Sequence, residues 1–306
     1  MADRRPREIE WPTVALIAAV YAVLAGLVWF HAALPWWVIL PVGAYCAALH
    51  SSLQHEVLHG HPTGKRLLNE ALVFVTPTLW LPYLRYKATH LTHHNDADLT
   101  DPRLDPESYY LLPEHWAGVT GIRRVLFDIN QTLGGRMLIG PAISIVRFWS
   151  SEFRDIAQGN RETLKAWAWF VPAGAVTVWY VVFVAGMPFW QYYLLIAYPG
   201  ISLALVRSFC EHQAAEKVEH RTIIVEASPV WSLLFLNNNL HVAHHARPAL
   251  AWYKLPAFYR AEREALIARN NGYLMKGYGE IFSRFLFRAK EPIAYPNMSW
   301  LRKLVS

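Results

Sequence analysis

Charge is what this chain has least of. Only 17% of its 306 residues are Asp, Glu, Lys or Arg, while 54% are hydrophobic; an ordinary soluble domain is about a quarter charged. The shortage is concentrated. No charged residue occurs between Glu10 and Glu56, nor between Lys165 and Arg207. A helix crosses a bilayer with about 20 apolar residues, so each stretch is long enough for two crossings and too long for one. Two helical hairpins are expected, with helices over about residues 12–33, 36–54, 166–185 and 189–208. Their uncharged turns fall at residues 31–37 and 185–190, where Pro and Trp sit. A cleaved signal peptide is not expected for the first stretch, whose apolar run far exceeds the usual 7 to 15 or so residues.

Cysteine is nearly as scarce. Cys46 and Cys210 both fall at apolar positions near helix ends, and two cysteines define no disulfide framework. Internal repeats, low-complexity tracts and nucleic-acid-binding modules are also missing, so the net charge of +6 reads as loops lying near anionic headgroups. Arg4, Arg5, Arg7 and many Lys and Arg between residues 65 and 165 flank the hairpins, which puts those flanks and both termini in the cytoplasm. The expected fold is one all-α integral membrane domain spanning residues 1–306, with four transmembrane helices in two hairpins. A cytoplasmic helical cap takes residues 55–165 and 209–306. Three shorter apolar stretches, residues 71–84, 137–146 and 229–236, are too short to span and fit interfacial or re-entrant segments or soluble-side core helices. Pro77 and Pro82 break the first of them.

What the chain does have is histidine, fourteen in all. Eight fall in three clusters: His55 and His59; His90, His93 and His94; His241, His244 and His245. Positions three and four apart share a helix side, so each cluster is expected to aim its rings at one point. Imidazole suits iron, zinc and copper, and eight rings exceed what one tetrahedral zinc can use. Two metal ions are the economical reading. An even number of crossings brings all three clusters to the same membrane face.

Residues 55–59 also satisfy H-E-x-x-H, the zinc protease pattern with Glu56 as general base. That reading needs one further ligand and leaves the two H-x-x-H-H clusters idle. A carboxylate-bridged di-iron bundle needs paired Glu-x-x-His motifs, and only Glu56 to His59 has that spacing. Solvated loops beside the membrane are the bland alternative, but chance seldom supplies two H-x-x-H-H clusters and a helix-end pair.

The other histidines divide. His31 lies in an outer turn, and His115 and His220 stand alone in polar loops, so none is expected to bind metal. His50 is about 140° from His55 around a helix and His61 about 200° from His59; neither faces the metal unless the helix breaks, as Gly60 and Pro62 would allow for His61. His212 follows the fourth crossing, beside Arg207 and Glu211, and is expected to be a ninth ligand. Metal-bound imidazoles hand their other N–H to a carboxylate or carbonyl. Glu56, Asp96, Asp98, Asp101, Glu211 and the run Asn237, Asn238, Asn239 are the nearby candidates.

At these residues the chain resembles the membrane fatty acid desaturases, whose signature is three histidine boxes of this spacing and order. The resemblance covers roughly residues 45–257, with Trp252, Tyr253 and the following Lys-Leu-Pro included. It implies four transmembrane helices under a cytoplasmic cap and two non-haem iron ions held by His55, His59, His90, His93, His94, His212, His241, His244 and His245. The implied reaction is oxygen-dependent attack on an unactivated C–H bond of a lipid chain, giving a double bond in an acyl-lipid. A hydroxylase or ketolase of another hydrophobic lipid is the sibling possibility. Oxygen would be the co-substrate. No cytochrome b5-like haem domain is fused here and two cysteines cannot hold an iron–sulfur cluster, so electrons are expected from a separate carrier such as a ferredoxin with its reductase, docking on the basic face.

Overall fold

A computed structural model describes residues 8–94 and 96–296, without the side chain of Asp96; Arg4, Arg5 and Arg7 lie outside the described residues. The helices in chain order are α1 (Trp11–Trp29), α2 (Trp36–Leu58), α3 (Arg66–Val73), α4 (Tyr83–His93), α5 (Pro113–Ala117), α6 (Gly121–Asn130), α7 (Leu133–Leu138), α8 (Gly140–Ala157) and α9 (Arg161–Trp179). There follow α10 (Phe189–Tyr192), α11 (Tyr198–Glu211), α12 (Pro229–Leu234), α13 (His241–Ala246), α14 (Leu255–Arg269) and α15 (Tyr278–Phe285). One π-helical turn extends α9 through Val184, and a second joins α10 to α11.

Four helical stretches are long and apolar enough to cross a membrane: Trp11–Trp29, Trp36–Leu58, Arg161–Val184 and Phe189–Glu211. Only 33% of the first window and 28% of the third are buried within the protein. Their remaining surface is apolar, with Trp169 59% and Phe183 76% exposed, as a lipid-facing surface requires. Exposed Trp11, Trp29, Trp36, Trp37 and Trp190 sit at helix ends, the usual place of interfacial aromatics. The chain breaks near the expected turns. However, α1 ends at Trp29, and α2 continues past the expected residue 54 to Leu58, so His55 lies on the membrane-length helix itself.

The chain divides into two compact units. Among the described residues, the first takes those of Met1–Lys87, Ala142–Ala204 and Leu234–Leu236, and the second those of Ala88–Pro141, Leu205–Leu233 and Asn237–Ser306. In the first, small residues allow close helix contact: a Cβ on Gly43 would lie 2.7 Å from Ile196, and one on Gly200 would lie 2.5 Å from the Cβ of Ala47. Tyr180 donates to the Ala25 carbonyl at 2.9 Å and Tyr192 to the Pro77 carbonyl at 2.6 Å, tying both π-containing helices to their neighbours. Residues 71–84 form no continuous helix: α3 stops at Val73 and α4 begins only after Pro82.

The second unit is built around α13 and α14. Ile224, Leu240, Val242, Ala243, Leu255, Tyr259 and Leu266 form its buried core. A short parallel pair, β1 (Ile224–Val225) with β2 (Leu274–Met275), closes it. The three consecutive asparagines each do a different job here. Asn237 takes a left-handed turn, φ 59°, which asparagine tolerates, and donates to the Trp252 carbonyl. Asn239 exchanges bonds with Val225 at 2.7 and 2.8 Å, which fastens the start of α13 to β1.

Candidate metal centre

The second and third histidine clusters ride on the last turn of α4 and on α13. His94 is one residue beyond α4, but its N–H still bonds the His90 carbonyl at 3.0 Å, so the two rings remain one turn apart. Sequence periodicity led us to expect each cluster to aim at a single point, and the structure corrects this. The three rings of each cluster part company. His93, His212, His241 and His245 bring their ligand nitrogens together within 4.8 Å of one another, while His90, His94 and His244 meet in a separate group.

The sharing is reciprocal. One group takes the i, i+4 pair His241 and His245 with the i+3 residue of the other cluster, His93; the other takes His90 and His94 with His244. Helix geometry demands it. Residues four apart differ by about 40° around the axis, whereas adjacent histidines diverge by about 100°, so His93 cannot face where His94 faces, nor His244 where His245 does. His212, at the end of α11, joins the first group as expected from its position.

The outer contacts prepare these rings for a cation. His93 donates Nδ1–H to Asp105 at 2.9 Å, and His241 donates Nδ1–H to the Asn238 side-chain oxygen at 2.9 Å, with Glu211 3.6 Å away. In a neutral imidazole the opposite nitrogen is then a bare lone pair. Those Nε2 atoms each lie 3.0 Å from Nε2 of His212, whose own Nδ1 faces the Thr222 hydroxyl at 3.4 Å. Three nitrogens so placed fit a shared metal ion, each oriented by a hydrogen-bonded partner. The second group repeats the pattern: His90 Nδ1 meets Glu107 at 3.0 Å, His90 and His94 approach Nε2 to Nε2 at 3.0 Å, and His94 and His244 at 3.2 Å.

Burial and neighbouring imidazoles hold His212 and His241 well below the ordinary histidine range, which keeps them neutral. His93 differs. Burial pushes it down, but Glu107, Asp105 and Glu211 outweigh this and raise it to about 9. Without a metal this ring holds a proton where the metal would bind.

His55 and His59 belong to the first unit. His55 is 4% exposed on α2, and His59 caps that helix with its ring centroid 4.9 Å from that of His55. His50 is paired with Tyr21 at 2.8 Å. His61 groups with two carboxylates of the first unit, with Nδ1 2.8 Å from Glu10 and Nε2 3.7 Å from Glu56. Glu56 thus faces an imidazole outside the clusters. His31 bonds locally to the Val28 carbonyl.

Of the candidate outer partners, Asn238 and Glu211 stand beside His241. Asp101 is occupied by Arg103, Asp98 lies in the turn Asp96–Asp98, and the side chain of Asp96 lies outside the described residues. Sequence reasoning missed Asp105 and Glu107. They lie 12 and 17 residues from the histidines they contact, and no helical spacing connects them. A cavity of about 240 Å³ opens beside His245, lined also by Leu99, Thr222, Val242 and Arg269. It falls below the roughly 300–1,000 Å³ of ordinary small-ligand sites, too little for a long acyl chain.

A family model described as fatty acid desaturase matches residues 32–277. No curated protein matches the chain.

Proposed function

Because the chain belongs to the fatty acid desaturase family, we propose that this membrane oxidoreductase is an oxygen-dependent di-iron desaturase that places a double bond in an acyl-lipid. The observation that carries the reading is the reciprocal sharing of the second and third histidine clusters, with Asp105, Glu107 and Asn238 turning ring lone pairs inward. Two groups built by the same rule call for two ions. For His55 and His59 the assignment rests on the sequence pattern, which makes them the remaining ligands of a nine-histidine set.

Bound iron would supply the redox chemistry for activating oxygen, which neutral side chains lack. The protein's own part is to hold and orient. Asp105 and Glu107 keep His93 and His90 in one tautomer and one rotation. Asn238 does the same for His241, and Lys290 holds the His212 backbone by donating to its carbonyl. The lipid enters from the bilayer side, since the apolar surface of the four spans matches that of acyl chains. Electrons come from a separate carrier, a ferredoxin or similar acidic protein, drawn by the positive charge of the loops, which face the cytoplasm by the positive-inside rule.

The test compares lipid extracts from cells making the wild type and His93→Ala. New double bonds in acyl chains, lost with His93→Ala, are expected; new oxygen in the lipid would overturn desaturation in favour of hydroxylation. Protein purified without oxygen should hold iron as a coupled pair by Mössbauer spectroscopy. A single tightly bound zinc would sink the di-iron reading.

A further inference from the structure

Helix α6 is amphipathic the wrong way round. Ile122, Val125, Leu126 and Ile129 are 70%, 49%, 40% and 45% exposed. At about 100° per residue these four fall within a sector of about 100°. Two residues that α6 turns toward the protein lie on the opposite side, where Phe127 packs edge-on against Trp116 and Arg124 stacks over the same Trp116 at 3.6 Å; Asn130, on one flank of the stripe, is buried. A helix on a soluble surface buries its apolar stripe and shows water its polar one. Here the polar and aromatic side packs inward and the aliphatic stripe points out. Leu138, at the end of the next helix, α7, is 74% exposed as well.

We propose that α6 lies in the headgroup layer of the bilayer, with Ile122, Val125, Leu126 and Ile129 immersed among the upper acyl chains. Three things favour lipid over another protein. The bilayer is already at hand, because the chain carries four helices of membrane-crossing length. Four aliphatic side chains on one ten-residue helix fall far short of the roughly 800 Å² per partner of a stable protein interface. Finally, Arg123 is exposed on the flank of the stripe, where a long cationic side chain reaches lipid phosphates while its stem stays in apolar surroundings. The inference depends on the chain being membrane-embedded and on nothing about its metal centre, so it stands or falls separately from the desaturase reading.

Site-directed fluorescence on the full-length protein tests it. Ile122→Cys, Ile129→Cys and Asp128→Cys are each labelled with an environment-sensitive dye and reconstituted in phosphatidylcholine–phosphatidylglycerol vesicles. Labelled wild type gives the background, since Cys46 and Cys210 are buried. Labels at 122 and 129 should shift to the blue, lose most of their emission to a lipid spin-labelled near the headgroup, and resist aqueous iodide; the label at 128 should show the reverse. Equal iodide quenching at all three positions overturns the proposal. Protection at 122 and 129 that disappears on dilution into excess lipid overturns it too, in favour of contact with a second copy of this chain.

Discussion

His93 and His212, 119 positions apart in sequence, face each other Nε2 to Nε2 at 3.0 Å. His241 approaches His212 at the same distance, so His212 is the hub of its group. On the proposed di-iron reading, His212→Ala is expected to lose roughly half of the iron and all oxygen-dependent activity, because the ligands of one ion would no longer converge. His115→Ala, at an exposed position outside both groups, should change neither. Iron content by elemental analysis checks this, and an unchanged iron count in His212→Ala would remove His212 from the ligand set.

Asp105 should matter nearly as much as a ligand without touching metal. It accepts from His93 at 2.9 Å and from the Thr100 backbone N–H at 2.8 Å, so its carboxylate is fixed from two sides. Asp105→Ala is expected to weaken metal binding at this group by about 10–100-fold. Asp101→Ala, four residues away and engaged with Arg103 at the surface, should leave it unchanged. Competition against a graded series of chelators gives the two affinities.

The spans were legible because a bilayer imposes a length on every crossing, and charge-free runs reveal it directly. Where α2 ends was less legible: a helix does not stop where hydrophobicity stops, and α2 carries Gln54, His55 and Glu56 buried in its last turns. The eight clustered histidines stood out by spacing and His212 by its place after the fourth span, yet the division of the second and third clusters between groups was not drawn from spacing, although the 100° step between neighbours already separates His93 from His94. Asp105 and Glu107 had no such signal. They reach the histidines through a loop, whose path is set by contacts such as Ser108 to the Thr100 carbonyl rather than by periodicity.

Metal uptake should depend on pH through His93. In the metal-free chain this ring keeps its proton up to about 9, because Glu107 and Asp105 outweigh its burial. Metal binding displaces that proton, so affinity should rise with pH and level off near 9. The stability that the charged ring gives the metal-free chain runs the other way: it is fully present below the ordinary histidine value of 6.5 and is lost as pH rises through about 9. Zinc titration of stripped protein across this range, with proton release followed in weak buffer, should show the slope, and Asp105→Asn should flatten it. A pH-independent affinity would contradict the proton at His93.

Glu10 joins the start of α1 to the segment after α2. Its carboxylate lies 2.8 Å from His61, which is 2% exposed, and its backbone N–H donates to the Pro62 carbonyl at 3.0 Å. Glu10→Ala leaves the buried imidazole without that acceptor, at a cost of about 1–3 kcal/mol. A lower thermal midpoint in detergent with iron content unchanged is expected. Loss of iron in Glu10→Ala would instead connect His61 to the metal centre.

Gly200 and Gly26 should respond in opposite ways to a larger side chain. A Cβ at Gly200 would lie 2.5 Å from the Cβ of Ala47, in the contact of α11 with α2, whereas one at Gly26 meets nothing within 4 Å. Gly200→Val forces those helices apart and is expected to cost about 1–3 kcal/mol, the usual range for overfilling a packed interior. Gly26→Ala removes a flexible residue from the last turn of α1 and should be neutral or stabilise by up to about 1 kcal/mol. The displaced helix matters beyond stability, because α2 carries His55 at its far end and α11 leads directly into His212. Gly200→Val should therefore also reduce the iron retained per chain, while Gly26→Ala retains it in full. Thermal unfolding paired with elemental analysis on both variants separates the effects, and a Gly200→Val protein as stable as wild type would mean that α2 and α11 do not pack this closely.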